Sequence, residues 1–524
     1  MNVLLLSMPD AFEHMPAVAI RMPNGALTSL AGNVDSHHRV AVADLILARQ
    51  AVRDTAERLV RDIQPSVVGL SVMTFQRHTA FQIAALIKSL RPETCIVVGG
   101  YDPTLAPDAY TAIDDVDVIV RGEGEHTFRE LLRALEQRLP LSGVAGLSYR
   151  TDSGFAHNPL RPVIRVENEQ LKLPSRRSRV LTGYTLLGRQ VDVVETSRGC
   201  TYDCSFCSII EMRGRNFHPF PIDRVLADIA DARATGARSI FLVDDNITLD
   251  VHRFEALCRA IADAGLNDVE YFVQAMTSSI ANQGATLAPL MRRAGFRYVF
   301  LGIENIVDRD LAFLRAGAKN SRRERGENLG NASIEAIEHI HRHGMFVVGG
   351  LIVGNPDDTP DAVATNLEFA RRYVDWPYIQ HPTPYPRTPM TKDFRDRGLI
   401  VDEDVSHYDG TTAVVRSEAM AADDIEFMRW RAERWIKMKH FPAAAVHSPR
   451  FVIRHGREML AHTFAGCTLR SLVSRKGERA AFARFKAARA AERQRLEADL
   501  APTPRPRGEV SCDTLTDAAM KPAI

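Results

Sequence analysis

The chain has 524 residues, 45% apolar and 25% charged, with 32 Gly and 27 Pro. That is ordinary globular composition, enough for about three domains, and it excludes a disordered, collagen-like or low-complexity chain. The formal charge of +1 hides an asymmetry, because Phe427 to Leu496 carries 17 Lys+Arg against 4 Asp+Glu and the remainder is acidic, so an anionic partner would meet the C-terminal part.

Seven Cys are too few and too unevenly placed for a disulfide framework, which points to a reducing, cytoplasmic setting. No run approaches the roughly 18 uncharged apolar residues of a spanning helix, and the apolar start Met1 to Ser7 lacks the basic flank and the length of a signal peptide. From residue 1 to 148, Val3–Ser7, Val40–Asp44, Val67–Met73, Cys95–Gly99 and Val116–Arg121 predict strands, each a short aliphatic run bounded by Pro, Gly, Asp or polar residues. Ala51–Ile63, Thr79–Leu90 and His126–Leu139 predict helices between them. The alternation implies a doubly wound, Rossmann-like parallel sheet, which binds ligands at the carboxyl ends of its strands.

Small residues gather at those ends: Gly69, Ser71 and Thr74, then Gly99 and Gly100, then Gly122, Glu123, Gly124 and Glu125. Glycine lets a bulky ligand approach the backbone, although each of these positions also suits an ordinary turn. No GxGxxG follows the first strand, which argues against a dinucleotide.

Residues 149–188, with Pro159, Pro162 and Pro174, read as a linker. Over 189–395 a second alternation places strands at Val191–Thr196, Ser239–Val243, Val269–Gln274, Tyr298–Gly302, Met345–Leu351 and Tyr378–His381, with helices such as Ile222–Thr235, His252–Ala264 and Ile334–His343 between them. Six such units predict a partial (β/α)6 TIM-like barrel with its chemistry on loops at the strands' carboxyl ends. Residues 396–500 read as mainly helical, and 501–524, rich in Pro and small polar residues, as a flexible tail.

Directly after the first barrel strand comes Ser197-Arg-Gly-Cys200-Thr-Tyr-Asp-Cys204-Ser-Phe-Cys207. Three thiolates can hold three irons of a cubane that normally takes four Cys, leaving one iron open to a reactant. A structural zinc site closes itself with a fourth ligand, and His218 is the residue that could supply it.

The CxxxCxxC spacing, with Phe206 before the last Cys, resembles the signature of radical S-adenosylmethionine enzymes. In that family S-adenosylmethionine chelates the fourth iron and is cleaved to a 5′-deoxyadenosyl radical, so the resemblance implies a [4Fe–4S] cluster on Cys200, Cys204 and Cys207. It continues through Val243-Asp-Asp-Asn246, Leu301-Gly-Ile-Glu304-Asn and Gly350-Leu-Ile-Val-Gly354. These assign contacts with S-adenosylmethionine to Phe206, Asp245, Asn246, Gly302, Glu304, Gly350 and Gly354.

The first domain is similar to the cobalamin-binding domain of one large subgroup, whose GLS-type, GG and RGEGE segments occur here in the same order. This implies cobalamin contacts at the small residues named above. The Asp-x-His-x-x-Gly motif of proteins that ligate cobalt through His is absent: Asp35-Ser-His37 lies before the second strand with Val40 in place of Gly, and reads as turn chemistry. Length and C-terminal region most resemble the hopanoid C-3 methylases of the subgroup. That resemblance implies methylation of an unactivated carbon of a triterpenoid lipid through methylcobalamin, with a ferredoxin- or flavodoxin-like electron donor. A non-methylating tetrapyrrole cyclase, a natural-product methylase and a cluster- or cobalamin-binding sensor are the alternatives. No Ser/His/Asp or GxSxG pattern points to a protein nucleophile.

Two regions remain. Tyr385 and Arg387, in Gln380-His-Pro-Thr-Pro-Tyr-Pro-Arg-Thr-Pro389, are candidates to face substrate, with Arg387 where Gly is common. Phe427 to Phe441 mixes Trp430, Trp435, Phe427 and Phe441 with basic residues, a pattern of helices that lie peripherally on anionic membranes. A solvated basic face over core aromatics is the plainer reading. No nucleic-acid-binding module accompanies the charge.

Overall fold

The computed structural model describes residues 1–10, 19–167, 171–324, 327–468, 471 and 474–501, so most of the tail lies outside the described residues. Aliphatic strands buried on both faces form the first sheet. In spatial order Arg39–Asp44, Asn2–Ser7, Val67–Ser71, Cys95–Gly99 and Val118–Val120 run parallel. Numbered along the chain this is the order 2-1-3-4-5, whose switch point lies between the first and third strands. Helices Val52–Ile63 and Arg77–Leu90 cover one face through Ala56, Leu59, Ile83 and Leu86. Gly25–Asn33 and Gly124–Gln137 cover the other through Leu27, Phe128 and Leu131.

The helix Gly25–Asn33 is not anticipated by the sequence pattern; Asn24 caps it by accepting from the Leu27 N–H at 3.3 Å. The region read as the start of a linker instead extends the first sheet by the antiparallel strands Leu147–Thr151 and Gly154–His157.

The second sheet is the expected partial barrel. Arg189–Val194, Ser239–Leu242, Glu270–Met276, Phe296–Glu304, Phe346–Ile352 and Trp376–Gln380 are adjacent and parallel in that order. Its outer core is continuous with the helices that connect the strands, Phe254, Ile280, Leu287 and Ile337 among them. The open edge beside Arg189–Val194 pairs with Thr185–Leu186, which in turn pairs with Ile20–Arg21. A segment from near the N-terminus therefore completes the barrel sheet.

Beyond residue 396 three helices dominate, Ala422–His447, Pro449–Thr463 and Arg475–Leu500. The last returns to the first unit, where Leu496 and Leu500 pack against the core under Val52–Ile63 and Arg77–Leu90.

Candidate active site

The segment carrying the cysteines leaves the barrel at Val194 and is held from several sides. Buried Asp244 accepts from the Thr196 N–H at 2.6 Å, the Thr196 hydroxyl at 2.5 Å and the Ser197 hydroxyl at 2.5 Å. Burial raises its carboxyl to about 6 against those hydrogen bonds. Asp245 accepts from the Gly199 N–H at 2.8 Å and lies 3.3 Å from Arg213. Gly199 has φ 87°, and a Cβ there would meet the Asn216 carbonyl oxygen at 2.5 Å, so glycine is required. Asn246 donates from Nδ2 toward Cys200 Sγ at 3.6 Å.

Cys200, Cys204 and Cys207 are all free thiols. Burial pushes Cys204 up to about 11 and Cys207 up to about 12. Metal loading therefore has to displace their protons, as thiolate ligation does. Zinc with Zn–S near 2.3 Å would draw its ligand sulfurs to within roughly 4 Å of one another. Among the described residues, the group of three metal-ligating side chains whose atoms lie within 4.8 Å of one another is His37, His38 and Glu136, and it includes none of these cysteines. His218 pairs with Arg198 across a short antiparallel ladder and meets Glu167 at 3.0 Å. Three thiols on one loop are a donor set that suits a cubane with one open iron.

Beside the cysteines the strand Phe296–Glu304 ends irregularly. Its register shifts between Gly302 and Glu304, and Glu304 has φ 60°, a left-handed conformation that is strained for a residue with a side chain. Glu304 meets Lys319 at 2.7 Å, and the Lys319 ammonium lies 5.8 Å from the centre of the Phe206 ring. Phe206, Glu304 and Lys319 thus gather at the cysteines. Gly350 and Gly354 have local roles: a Cβ at Gly350 would meet the Phe300 ring at 2.7 Å, and the Gly354 N–H donates to Asp358 at 2.7 Å.

At the carboxyl ends of the first sheet lies a cavity of about 400 Å3, walled by Gly69, Ser71, Gly99, Gly100, Gly122 and the Glu123-Gly-Glu125 segment. Thr74 is buried and lines neither this cavity nor the larger one described below. A Cβ at Gly122 would meet nothing within 4 Å, and one at Gly99 only Val120 at 3.6 Å, so these positions leave room that a ligand can take. The space, floored by Leu5, Val97 and Phe128, suits a flat part of cobalamin such as its nucleotide tail.

Glu123 and Glu125 are not free for a ligand. Arg198, two residues before Cys200, meets Glu123 at 3.3 Å, Glu125 at 2.6 Å and Glu195 at 2.9 Å, and Arg198, Glu123 and Glu125 are only 5%, 5% and 6% exposed. Burial would raise the Glu125 carboxyl, but Arg198 and the Ser29 hydroxyl hold it at about 2. Arg213, on the helix Ser208–Arg213 that follows Cys207, adds a contact to Glu123 at 3.7 Å. A buried cluster of charge thus joins the glycine-rich loop of the first unit to the cysteine loop of the second. Arg198, Arg213 and Lys319 were missed by the sequence reading; the one available signal was a basic residue inside the quoted Ser197 to Cys207 run.

A second cavity, of about 760 Å3, fills the inner face of the half-barrel. Phe272, Tyr298, Phe300 and Tyr378 line it from the strands, with Phe272 and Tyr298 stacked at 4.8 Å. Phe441 and Phe451 close it from the C-terminal helices, and Met8 and Phe75 from the first unit. Pro23, Asn24, Ser71 and Met73 line both cavities, so the two meet there. Tyr385 and Arg387 line neither. Tyr385 is committed to the Tyr408 carbonyl at 3.2 Å, and Arg387 is exposed with φ 67°.

Residues 194–370 match the family model of the radical SAM superfamily, and residues 17–132 that of the B12 binding domain. An uncharacterized methyltransferase of Pyrococcus horikoshii is 27% identical over 428 residues, 81% of this chain and 90% of that protein. The hopanoid C-3 methylase of Methylococcus capsulatus is 27% identical over 312 residues, 58% of this chain and 56% of that one. Anaerobic magnesium-protoporphyrin IX monomethyl ester cyclases match a comparable or larger share. In fold the chain is similar to the cobalamin-dependent S-adenosylmethionine radical enzyme OxsB, with TM-score 0.63 and 17% identity over 95% of this chain and 78% of that one. The chain therefore carries a B12 binding domain ahead of a radical SAM domain, the pairing of an enzyme that takes a [4Fe–4S] cluster, S-adenosylmethionine and cobalamin.

Proposed function

We propose that the protein methylates an unactivated carbon of a bulky apolar substrate, with a hopanoid-type triterpenoid as the candidate that the likeness to a hopanoid C-3 methylase supplies. The observation that carries this is the aromatic-lined cavity of about 760 Å3 that opens onto the glycine-walled one. Its size lies within the range of small-molecule sites, and its few polar groups suit a substrate held by shape rather than by charge.

Cys200, Cys204 and Cys207 would hold the cluster, Phe206, Asp245, Asn246, Gly302 and Glu304 would surround S-adenosylmethionine, and the glycines of the first sheet would seat cobalamin. So loaded, the groups supply a carbon-centred radical at the substrate and a methyl group to quench it. The protein's own work is positional. Phe272, Tyr298, Phe300 and Tyr378 exclude water and hold the substrate face, while Asn24, Ser71 and Met73 shape the passage where substrate and methyl donor must come together. Electrons would come from a ferredoxin- or flavodoxin-like donor.

The test is anaerobic reconstitution with S-adenosylmethionine labelled in its methyl group, a reductant and a lipid extract. Label in a triterpenoid together with 5′-deoxyadenosine supports the proposal. Cleavage without label transfer favours the cyclase reading, which the cyclase relatives support. No cleavage at all favours a sensor.

A further inference from the structure

The helix pair that closes the large cavity has an outward face with a different composition. On Ala422–His447 the exposed residues Arg431, Trp435, Lys439, Pro442 and Val446 recur at intervals of three or four and form one stripe. On Pro449–Thr463 the exposed Arg450, Ile453, Arg454 and Arg457 do the same. Ile453 is 85% exposed, Val446 77% and Trp435 49%; the first two are the most exposed large apolar side chains among the described residues.

The opposite faces of the same helices supply Met438, Phe441, Phe451 and Leu460 to the cavity wall, so this pair already buries one apolar side and presents a second to water. Arg450, Arg454 and Arg457 form no ion pair among the described residues. The one carboxylate on their helix face, Glu458, lies 3.4 Å from His455. Lys439 donates to the carbonyls of Arg371 and Arg372 at 3.2 and 2.9 Å, two residues whose side chains pair with Glu368.

From this combination we propose that the outward face of Ala422–His447 and Pro449–Thr463 docks on an anionic lipid bilayer, with Trp435, Val446 and Ile453 in the headgroup boundary and the arginines over the lipid phosphates. A nucleic acid would match the cations but leave the three apolar side chains in water. The proposal stands on exposure and charge and goes beyond the proposed reaction; docked this way, the helices that roof the apolar cavity face the bilayer.

The test uses the full chain and sedimentation with vesicles of phosphatidylcholine alone or mixed with phosphatidylglycerol. Binding is expected to the mixed vesicles only and to weaken as salt rises. The triple variant Arg450→Gln, Arg454→Gln, Arg457→Gln should bind about a hundred-fold more weakly, at roughly five-fold per cation, and Val446→Ser with Ile453→Ser about ten-fold more weakly. Circular dichroism establishes that both variants fold, which their exposure favours. The proposal is overturned if the mixed vesicles are not bound at low salt, if both variants bind as the parent does, if duplex DNA displaces the vesicles, or if the face proves to be a dimer contact that Ile453→Ser dissolves. Formation of 5′-deoxyadenosine, measured in the same preparations, keeps a failure here distinct from a failure of the proposed chemistry.

Discussion

Replacing Arg198 by Met should weaken the join between the two units and do so in a pH-dependent way. The substitution keeps most of the side-chain volume and removes a guanidinium held by Glu123, Glu125 and Glu195 at 3.3, 2.6 and 2.9 Å. Breaking a buried ion pair by deleting one partner costs about 3–5 kcal/mol, because the other charge is left uncompensated. For a unit of this size that corresponds to a fall in melting temperature of the order of 10 °C.

In the parent, the Glu125 carboxyl lies at about 2, below its ordinary 4.5. Its contribution is therefore present above pH 4.5 and lost as pH falls toward 2, so Glu125 itself adds no pH dependence between pH 6 and 8. Without Arg198, burial dominates and raises the carboxyl above its ordinary value, so the variant should lose stability as pH rises from 5 to 8. Thermal melts of both proteins at pH 5, 6.5 and 8 read the difference. A variant that loses less than about 1 kcal/mol, or whose melting temperature tracks the parent's with pH, would refute the reasoning.

Other expectations follow from single sites. Cys204→Ala should abolish cleavage of S-adenosylmethionine and the cluster's paramagnetic signal on reduction, while cobalamin still binds as judged by its visible spectrum. Gly99→Leu places a side chain in the glycine-walled cavity without left-handed backbone, since its Cβ meets only Val120 at 3.6 Å; cobalamin affinity should fall at least about ten-fold with cleavage retained, and unchanged affinity would put cobalamin elsewhere. Lys319→Ala leaves Glu304, 8% exposed, without its 2.7 Å partner; cleavage should slow by roughly 10- to 100-fold, and Lys319→Arg should restore part of it.

The strands were legible because runs such as Cys95–Gly99 and Val67–Ser71 are buried on both faces and so are aliphatic throughout. The cysteine loop was legible because its pattern is local, three thiols within eight residues. Helix Gly25–Asn33 was not, since Gly-Ala-Leu-Thr-Ser-Leu-Ala-Gly-Asn combines two glycines with weak amphipathic contrast and is held by tertiary packing. The RGEGE segment was located at the right strand end, yet its carboxylates answer to an arginine 73 positions away, a pairing that no local pattern encodes. Tyr385 and Arg387 drew notice as an unusual loop, but which loops reach a cavity is decided by how the whole barrel curls.

The pairing of Ile20–Arg21 with Thr185–Leu186 also governs the order in which the molecule can be built on the ribosome. The early strands can assemble as soon as they emerge, but the ribbon at Ile20 must wait without a mate until a much later stretch of chain is synthesised. Cutting the gene between its two halves would strand that ribbon permanently, so fragments expressed apart should be stickier than their separate cores imply.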